Sequence, residues 1–162
     1  MSFKTADLCD EFSTALQICE PGFMSFGGRA RFSGQISTVK CFEDNSLVRE
    51  AVSEPGAGRV LVVDAGGSKR CAMLGDMLAA KAVSNGWSGV LMNGMVRDSV
   101  DIAKMDLGVM ALGTHPLKSE KRGAGERDVA VRFAGVSFAP GAYLYADEDG
   151  VVCSATELLA QR

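Results

Sequence analysis

The sequence predicts an α/β fold in which a central sheet with helices carries an added β-layer. In the middle of the chain, strand-like apolar runs alternate with helix-like segments, as in parallel strands joined by helical crossovers. After residue 128, short apolar segments are separated only by Gly, Pro and Asp turns, which indicates further strands without helices between them. No Pro/Ser-rich linker or internal repeat divides the sequence, so one domain over residues 1–162 is expected.

Local patterns predict the individual elements in order. Amphipathic periodicity favours helices over 5–17, with Thr5 as a candidate N-cap, and over about 45–53, with Asn45 or Ser46 as N-cap. Two further helices are expected at about 74–85, closed by Asn85-Gly86 as a left-handed cap, and at 98–104, with Asp98 or Ser99 as N-cap. Strands are expected at 32–41, 59–64, 89–93, 107–112, 129–133, 136–138, 143–146 and 151–153, and a frayed helix at 156–161.

Composition limits the function classes. Hydrophobic residues make up 47% and charged residues 23% of the 162 residues, and the net charge is -3. Direct nucleic-acid binding is not expected, because such surfaces are usually basic. The basic stretch from Lys118 to Arg122 is diluted by nearby acids and is predicted to be a solvated loop.

Cysteine usage and the lack of long apolar runs point to a cytoplasmic protein. The five cysteines are odd in number, widely spaced and form no CxxC pair, so most are expected to be small buried hydrophobic residues. The first residues are polar and acidic, unlike a signal peptide, and no apolar run approaches the length of a membrane span.

Two charged residues follow a predicted buried strand, in the sequence GMVRD at 94–98. Neighbours on a strand point to opposite faces, so Arg97 and Asp98 are not a simple ion pair. An arginine at a strand exit can bind a carboxylate or polarise a carbonyl oxygen. One carboxylate with several waters is a typical way to hold Mg²⁺ or Mn²⁺. The alternatives are two surface charges, or an aspartate that caps the next helix.

A predicted helix start lies in LGDML at 74–78. Helix N-termini present unpaired amide groups and a partial positive charge, and Gly75 would let a small anion approach the backbone. The alternative is a turn glycine followed by a first-turn acid. Twenty residues separate Asp76 from Arg97, about one helix, one turn and one strand. This spacing would return the chain to the same sheet edge and place an anionic ligand and its metal between these groups. His115 is expected to be a turn residue.

Several blocks together resemble the regulator of ribonuclease activity A (RraA) family, which overlaps with the class II 4-hydroxy-4-methyl-2-oxoglutarate aldolases. They cover nearly the whole chain: FGGRARFSGQISTVKCFEDNSLVRE (26–50), GRVLVVDAGGS (58–68), LGDMLAAKAVSNGWSGVLMNGMVRD (74–98), DLGVMALGTHPLKSEKRGAGERDV (106–129) and GVSFAPGAYLYADEDGVV (135–152). The resemblance implies a swivelling β/β/α fold, usually assembled as a homotrimer with sites between subunits.

The resemblance also implies residue roles. Aldolase members share an aspartate, twenty residues and then Arg-Asp, which Asp76, Arg97 and Asp98 match. Arg97 would contact the keto oxygen of an oxo-acid substrate, Asp98 would hold Mg²⁺ or Mn²⁺ directly or through water, and Asp76 would orient a metal-bound water. The pyruvyl carboxylate would be bound by the backbone of Gly75, Asp76, Met77 and Leu78. The implied chemistry is retro-aldol cleavage of 4-hydroxy-4-methyl-2-oxoglutarate to pyruvate, with secondary oxaloacetate decarboxylation through the same enolate.

The family leaves an alternative function open. Some members bind ribonuclease E and dampen RNA decay, and those can lack the aspartate after the arginine, so Asp98 favours the enzyme. A protein that masks ribonuclease E or an associated RNA helicase is the alternative. Longer aldolases bring an extra carboxylate from a C-terminal extension of the neighbouring subunit; this sequence stops at Arg162, and Glu157 is a conceivable substitute. A methyltransferase is disfavoured, because GAG at 123–125 lies in a polar loop with no strand before it.

Overall fold

Four parallel strands form the centre of the molecule and bring distant parts of the chain to one sheet edge. The structure is a computed structural model that describes residues 2–161. Its helices are α1 (Thr5–Phe12), α2 (Ser46–Val52), α3 (Asp76–Ser84) and α4 (Ser99–Ile102). Its strands are β1 (Leu16–Ile18), β2 (Met24–Ser25), β3 (Phe32–Lys40), β4 (Val60–Asp64), β5 (Ala72–Leu74), β6 (Gly89–Val96), β7 (Gly108–Thr114), β8 (Glu126–Arg127), β9 (Val131–Phe133), β10 (Val136–Phe138), β11 (Tyr143–Asp147) and β12 (Gly150–Ser154).

The strand order shows how the central parallel strands are joined to the added antiparallel strands. Strands β3, β4, β6 and β7 pair in parallel in that order, and β5 pairs with the far end of β6. Antiparallel strands β11, β12 and β1 extend the sheet on the β3 side, and β2 closes the β7 side. Strands β9 and β10 form a separate antiparallel pair. The predicted α/β class with an added β-layer is therefore confirmed.

The continuous apolar sequence of β4 follows from burial on both faces of the sheet. Leu61 and Val63 pack in a cluster with apolar side chains of α2 and α3, whereas Val60 and Val62 pack in a second cluster with β9 and β10. All four are fully buried. Burial of each such side chain stabilises the fold by about 1.5–3 kcal/mol relative to exposure.

The C-terminus of α3 has the cap that the sequence predicts. Gly86 adopts φ +80, its N–H donates to the Val83 carbonyl oxygen at 3.1 Å, and the Trp87 N–H donates to Ala82 at 3.0 Å. This pair of bonds is a Schellman motif, in which glycine takes the left-handed position without the strain of a Cβ atom. The motif turns the chain directly into β6.

The N-terminal prediction was wrong in two respects. Helix α1 ends at Phe12, and Leu16–Ile18 pairs with β12 as a strand, because sheet pairing overrides weak helical periodicity. Thr5 is the first helical residue, and its side chain makes no capping hydrogen bond to the helix. Its N–H and hydroxyl instead donate to the buried Asp147 carboxylate at 2.8 and 2.6 Å. The sequence contained no local sign of this long-range pair.

Several other boundaries differ from the prediction. Leu74, the predicted start of α3, is the last residue of β5, which was not predicted, and β6 continues to Val96 because β5 and β7 pair with its last residues. The Asn45 side chain does not cap α2; Asp44 accepts the Ser46 N–H there at 2.9 Å. Strands β2 and β8 were not predicted, and the expected helix at 156–161 is a 3₁₀ turn at Leu159–Gln161. Among residues 2–161, no helix is long and apolar enough to cross a membrane.

Candidate active site

The ends of β5 and β6 bring the three predicted site residues together. Strand β5 lies parallel to the end of β6, and the Arg97 N–H donates to the Leu74 carbonyl oxygen at 2.9 Å. The chain leaves β5 into α3 through Gly75, while it leaves β6 through Arg97 and Asp98. The helix start and the Arg-Asp pair therefore meet at the carboxyl edge of the parallel strands, where α/β sheets usually bind ligands.

Asp98 caps α3 across space rather than the helix that follows it. Its backbone is left-handed, with φ 57 and ψ 40, and its side chain makes no capping bond to α4. Its Oδ2 atom accepts the Asp76 N–H at 2.9 Å. A left-handed backbone costs most L-residues about 1–2 kcal/mol, although aspartate tolerates it better than most. Asp98 therefore occupies the predicted N-cap position of α4, but its side chain makes no capping bond there, and the strained backbone directs the carboxylate toward α3.

Arg97 lies beside Asp98 without forming a tight ion pair. Its Nε atom is 4.0 Å from Asp98 Oδ2, and its Nη1 donates to the Pro116 carbonyl oxygen at 3.4 Å. The Arg97 side chain keeps 39% of its surface exposed. Because a guanidinium has five N–H donors, these two weak contacts leave donors for an anionic ligand.

Gly75 makes room for the two charged side chains. Its φ of -125 is ordinary extended backbone, so conformation alone does not require glycine. A Cβ atom at this position would lie 2.7 Å from Asp98 Oδ2 and 3.3 Å from Arg97 Nε. The sequence pattern predicted that Gly75 would let a small anion approach the backbone. In the structure it admits the Asp98 carboxylate.

The helix start retains only part of the predicted anion-binding backbone. The Asp76 N–H is occupied by Asp98, and the Ala79 N–H donates to the Gly75 carbonyl oxygen at 3.0 Å. The N–H groups of Met77 and Leu78 have no acceptor among residues 2–161, as is usual in a first helical turn. These two amides carry the partial positive charge of the nine-residue helix α3.

A cavity of about 230 Å³ opens over this arrangement. It is below the usual 300–1,000 Å³ range of small-molecule pockets, so it fits a small ligand. Asp76 and Asp98 are its only acids, and its basic lining residues are Arg49, Lys81, Arg97, Lys118 and Lys121. Within residues 2–161, no carboxylate lies within 4 Å of Arg49, Lys81, Lys118 or Lys121. The excess of positive charge favours an anionic ligand.

Lys118 and Lys121 were not predicted as site residues. The basic stretch 118–122 is an exposed loop, as predicted, with only Ser119 buried. What the sequence did not predict is its position along β5: the Ala72 N–H donates to Leu117 at 2.7 Å, and the Ser119 N–H donates to Ala72 at 3.2 Å. This placement depends on tertiary contacts that no local pattern reveals. His115 was predicted correctly as a turn residue, since its Nδ1 accepts the Leu117 N–H at 3.1 Å.

The acidic residues of the cavity suit one type of metal ion. Among the described residues, no group of three or more His, Cys, Asp or Glu side chains could enclose a metal. Asp98 offers a single carboxylate, 34% exposed, with Asp76 lining the same cavity. A hard cation that keeps most of its water, such as Mg²⁺, fits this donor set. Within one chain, Glu157 lies near Tyr145 and outside the lining of this cavity.

Comparison with known proteins places the chain in a family. Residues 5–153 match the model of the RraA-like family, described as Aldolase/RraA. The chain belongs to the RraA-like family. A relative from Laribacter hongkongensis is 64% identical over 98% of this chain and 100% of its own length, and one from Pseudomonas aeruginosa is 56% identical over 95% of each. Both are named "putative 4-hydroxy-4-methyl-2-oxoglutarate aldolase".

Solved structures confirm the RraA-like fold. A Geobacillus kaustophilus structure, described as an S-adenosylmethionine:2-dimethylmenaquinone methyltransferase, has a TM-score of 0.97, 55% identity and 99% coverage of both chains. A Thermus thermophilis structure, described as the RNA-processing inhibitor RraA, has a TM-score of 0.92 and 46% identity, and the match covers 96% of this chain and 94% of that one. In the present chain, residues 123–125 lie in an exposed loop between β7 and β8.

 The nearest preceding strand of the parallel sheet, β7, ends at Thr114, and the described chain contains no α-helix after Ile102. Gly123 and Gly125 therefore do not open a strand-to-helix turn of the kind that binds a methyl donor.

Proposed function

We propose that the protein is a divalent-metal-dependent lyase that cleaves 4-hydroxy-4-methyl-2-oxoglutarate to pyruvate by a retro-aldol reaction. The same site would decarboxylate oxaloacetate, since both reactions pass through the enolate of pyruvate. The observation that carries the proposal is the meeting of Arg97, Asp98 and the start of α3 in one cation-lined cavity. The names of relatives at 56–64% identity support the same substrate.

The start of α3 is suited to the pyruvyl carboxylate of the substrate. The free N–H groups of Met77 and Leu78 can donate to its oxygens, and the helix dipole favours a negative charge there. Arg97, which lines the same cavity beside Gly75, would then contact the neighbouring keto oxygen. The rest of the substrate would occupy the remainder of the cavity, whose lining includes Lys81, Lys118 and Lys121.

Cleavage needs stabilisation of charge on the keto oxygen. The bond between C3 and C4 breaks, its electrons form the enolate at C2 and C3, and the C4 hydroxyl loses its proton as it becomes a carbonyl. Arg97 would stabilise the enolate oxygen with a donor already in place. Asp76 would orient the water that takes the hydroxyl proton. With oxaloacetate, the same bond cleavage releases CO₂.

Asp98 is the residue that would hold Mg²⁺ or Mn²⁺. When bound, the metal supplies Lewis-acid polarisation of the keto group. The Asp98 carboxylate has a fixed position, because its left-handed backbone and its bond to the Asp76 N–H restrict it. The Asp98 carboxylate is therefore in position before the substrate binds. Asp76 and Arg97 would act on a substrate that is oriented relative to it.

We also propose that the chain assembles as a homotrimer whose subunits cover the site. Met77 and Val100 are 76% and 71% exposed; Met77 lines the cavity, and Val100 lies two residues after Asp98. Large apolar side chains exposed together beside a cavity are typical of surfaces that another protein covers. A second copy of the same chain is the simplest candidate for the protein that covers this surface. Sedimentation of the purified protein tests this stoichiometry, and a monomer would contradict it.

A second candidate function is regulation of RNA decay by binding ribonuclease E or an associated RNA helicase. The supporting observation is the 46% identity to a protein described as the RNA-processing inhibitor RraA. Pull-down of purified ribonuclease E by the wild-type protein and by Asp98→Ala tests it. Equal capture by both would favour a regulatory surface separate from the site, and no complex at micromolar concentration would exclude this candidate.

Pyruvate formation from both substrates tests the proposed enzyme. We expect turnover above the rate with metal alone, loss of that turnover with a chelator, and recovery on adding Mg²⁺ or Mn²⁺. Asp98→Ala should abolish the metal response, whereas Asp106→Ala, which removes an exposed carboxylate paired with Arg29, should not. An unchanged rate in Asp98→Ala would contradict the proposal.

A further inference from the structure

The segment 117–124, here called the lysine loop, lies against the cavity and carries two unpaired cations. We propose that Lys118 and Lys121 bind the second carboxylate of a dicarboxylate substrate, and that Asp44 is the positioning residue that holds the lysine loop in place for this. The inference rests on the proposed function, because it assigns the substrate class of the same site.

Asp44 is a buried carboxylate with four hydrogen bonds. It is 1% exposed. Its Oδ1 accepts the N–H and the hydroxyl of Ser46 at 2.9 and 2.6 Å, and its Oδ2 accepts the N–H groups of Arg122 and Ala124 at 2.8 and 3.1 Å. Burial opposes its ionisation, but the bonds from Ser46, Ala124 and Arg122 lower its pKa to about 2. One oxygen therefore holds the start of α2, and the other holds the lysine loop.

Further bonds tie the lysine loop to both of its neighbours. The Ser46 hydroxyl oxygen accepts the Gly123 N–H at 2.9 Å, and the Asn45 N–H donates to the Glu120 carbonyl oxygen at 3.3 Å. On the other side, backbone bonds join Ala72 to both Leu117 and Ser119. Between residues 117 and 124, the side chains of Lys118 and Lys121 thus project from a backbone with a defined position.

The two lysines share a cavity with the groups proposed to bind the pyruvyl end of the substrate. They line the 230 Å³ cavity together with Met77, Leu78 and Arg97. They also line a neighbouring cavity of about 580 Å³, so they stand at the boundary between the two. No carboxylate among residues 2–161 neutralises either lysine. With the pyruvyl end at the start of α3, a second carboxylate is the group that would meet them.

Asp44→Asn replaces one of the two acceptor oxygens with an N–H donor. Whichever way the amide turns, its nitrogen faces at least one backbone N–H group, of Ser46 or of Arg122 and Ala124, and two donors cannot bond. Either orientation should loosen the lysine loop, because the Ser46 side of the carboxylate also holds it through the Gly123 N–H. Asp147→Asn is the matched control, since Asp147 is 4% exposed and accepts three bonds, from Thr5 and Asp149, away from the cavity.

Calorimetric binding of 2-oxoglutarate and of pyruvate is the main test, because both carry the oxo-acid end and only 2-oxoglutarate has a second carboxylate. We expect the Kd ratio between the two ligands to shift against 2-oxoglutarate by at least about tenfold in Asp44→Asn and in Lys118→Gln/Lys121→Gln, the effect of one lost hydrogen bond to a charged group. Asp147→Asn should leave the ratio unchanged. An unchanged ratio in the lysine double variant would overturn the recognition, and an equal loss of both ligands in Asp44→Asn would overturn the positioning role.

Hydrogen–deuterium exchange of the pyruvate methyl group separates this inference from the proposed function. The exchange reports enolate formation and does not require a second carboxylate. A wild-type protein that binds 2-oxoglutarate through the lysine loop but exchanges no pyruvate protons would contradict the enzyme and support the loop. Normal exchange with an unshifted ligand ratio in the variants would support the enzyme and contradict the loop.

Discussion

Gly75→Ala tests whether the close approach of Asp98 to α3 matters for activity. The new Cβ atom would lie 2.7 Å from Asp98 Oδ2 and 3.3 Å from Arg97 Nε. Ordinary packing of carbon against oxygen needs more space, so both side chains must move away from the helix start. The bond from the Asp76 N–H to Asp98, 2.9 Å in length, is then lost or lengthened.

The expected magnitudes differ for stability and for activity. Loss of a hydrogen bond to a charged group costs about 1.5–3 kcal/mol, and replacement of glycine returns about 0.4–1 kcal/mol through the unfolded state. A net loss of roughly 1–2 kcal/mol corresponds to a fall in Tm of about 2–8 °C at this chain length. A displacement approaching 1 Å at the reacting groups can lower kcat/KM by about 100-fold.

Two measurements check this prediction on the same protein preparation. Thermal unfolding followed by circular dichroism gives the change in Tm, and pyruvate release from oxaloacetate gives kcat/KM. Gly113→Ala is the control, because its three nearest neighbours all belong to the flexible side chains of Met95 and Met24, and the closest is the Met95 sulfur at 3.2 Å. Wild-type kcat/KM in Gly75→Ala would refute the claim that this glycine makes room for the catalytic pair.

Three further predictions concern the charged groups. Arg97→Ala should lower kcat by about 100- to 1,000-fold, the usual effect of one lost oxyanion donor, whereas Arg132→Ala on β9 should leave it unchanged; steady-state kinetics decides. Asp98→Asn should keep an acceptor for the Asp76 N–H and hence a near-wild-type Tm, yet lose the response of pyruvate formation to added Mg²⁺. Asp44 has a pKa lowered to about 2, so its ionised form stabilises the fold above about pH 4; the gap in unfolding free energy between wild type and Asp44→Asn, measured in urea, should close as the pH falls from 4 to 2.

The sequence predicted the parts of the site that depend on regular elements. One helix, one turn and one strand separate Asp76 from Arg97, and a parallel sheet returns such a chain to the same edge. It could not predict which donor Asp98 would bond, because that choice follows from the left-handed backbone at the end of β6. The function of Gly75 depends on that same contact.

The remaining features depend on contacts between distant parts of the chain. Asp44 and Arg122 are 78 positions apart, and the bond from the Arg122 N–H to the Asp44 carboxylate is one of several long-range hydrogen bonds that make the exposed basic segment a wall of the cavity. Likewise β1 pairs with β12 near the other end of the chain, which ends the N-terminal helix sooner than its periodicity indicates. Local propensity carries no information on either pairing.

A crystal structure of the protein with Mg²⁺ and pyruvate tests the central claim most directly. The account predicts electron density for the metal at the Asp98 carboxylate, the pyruvate carboxylate at the N–H groups of Met77 and Leu78, and the keto oxygen within hydrogen-bond distance of Arg97. Pyruvate bound elsewhere, or a metal held by other side chains while this cavity contains only solvent, would contradict it.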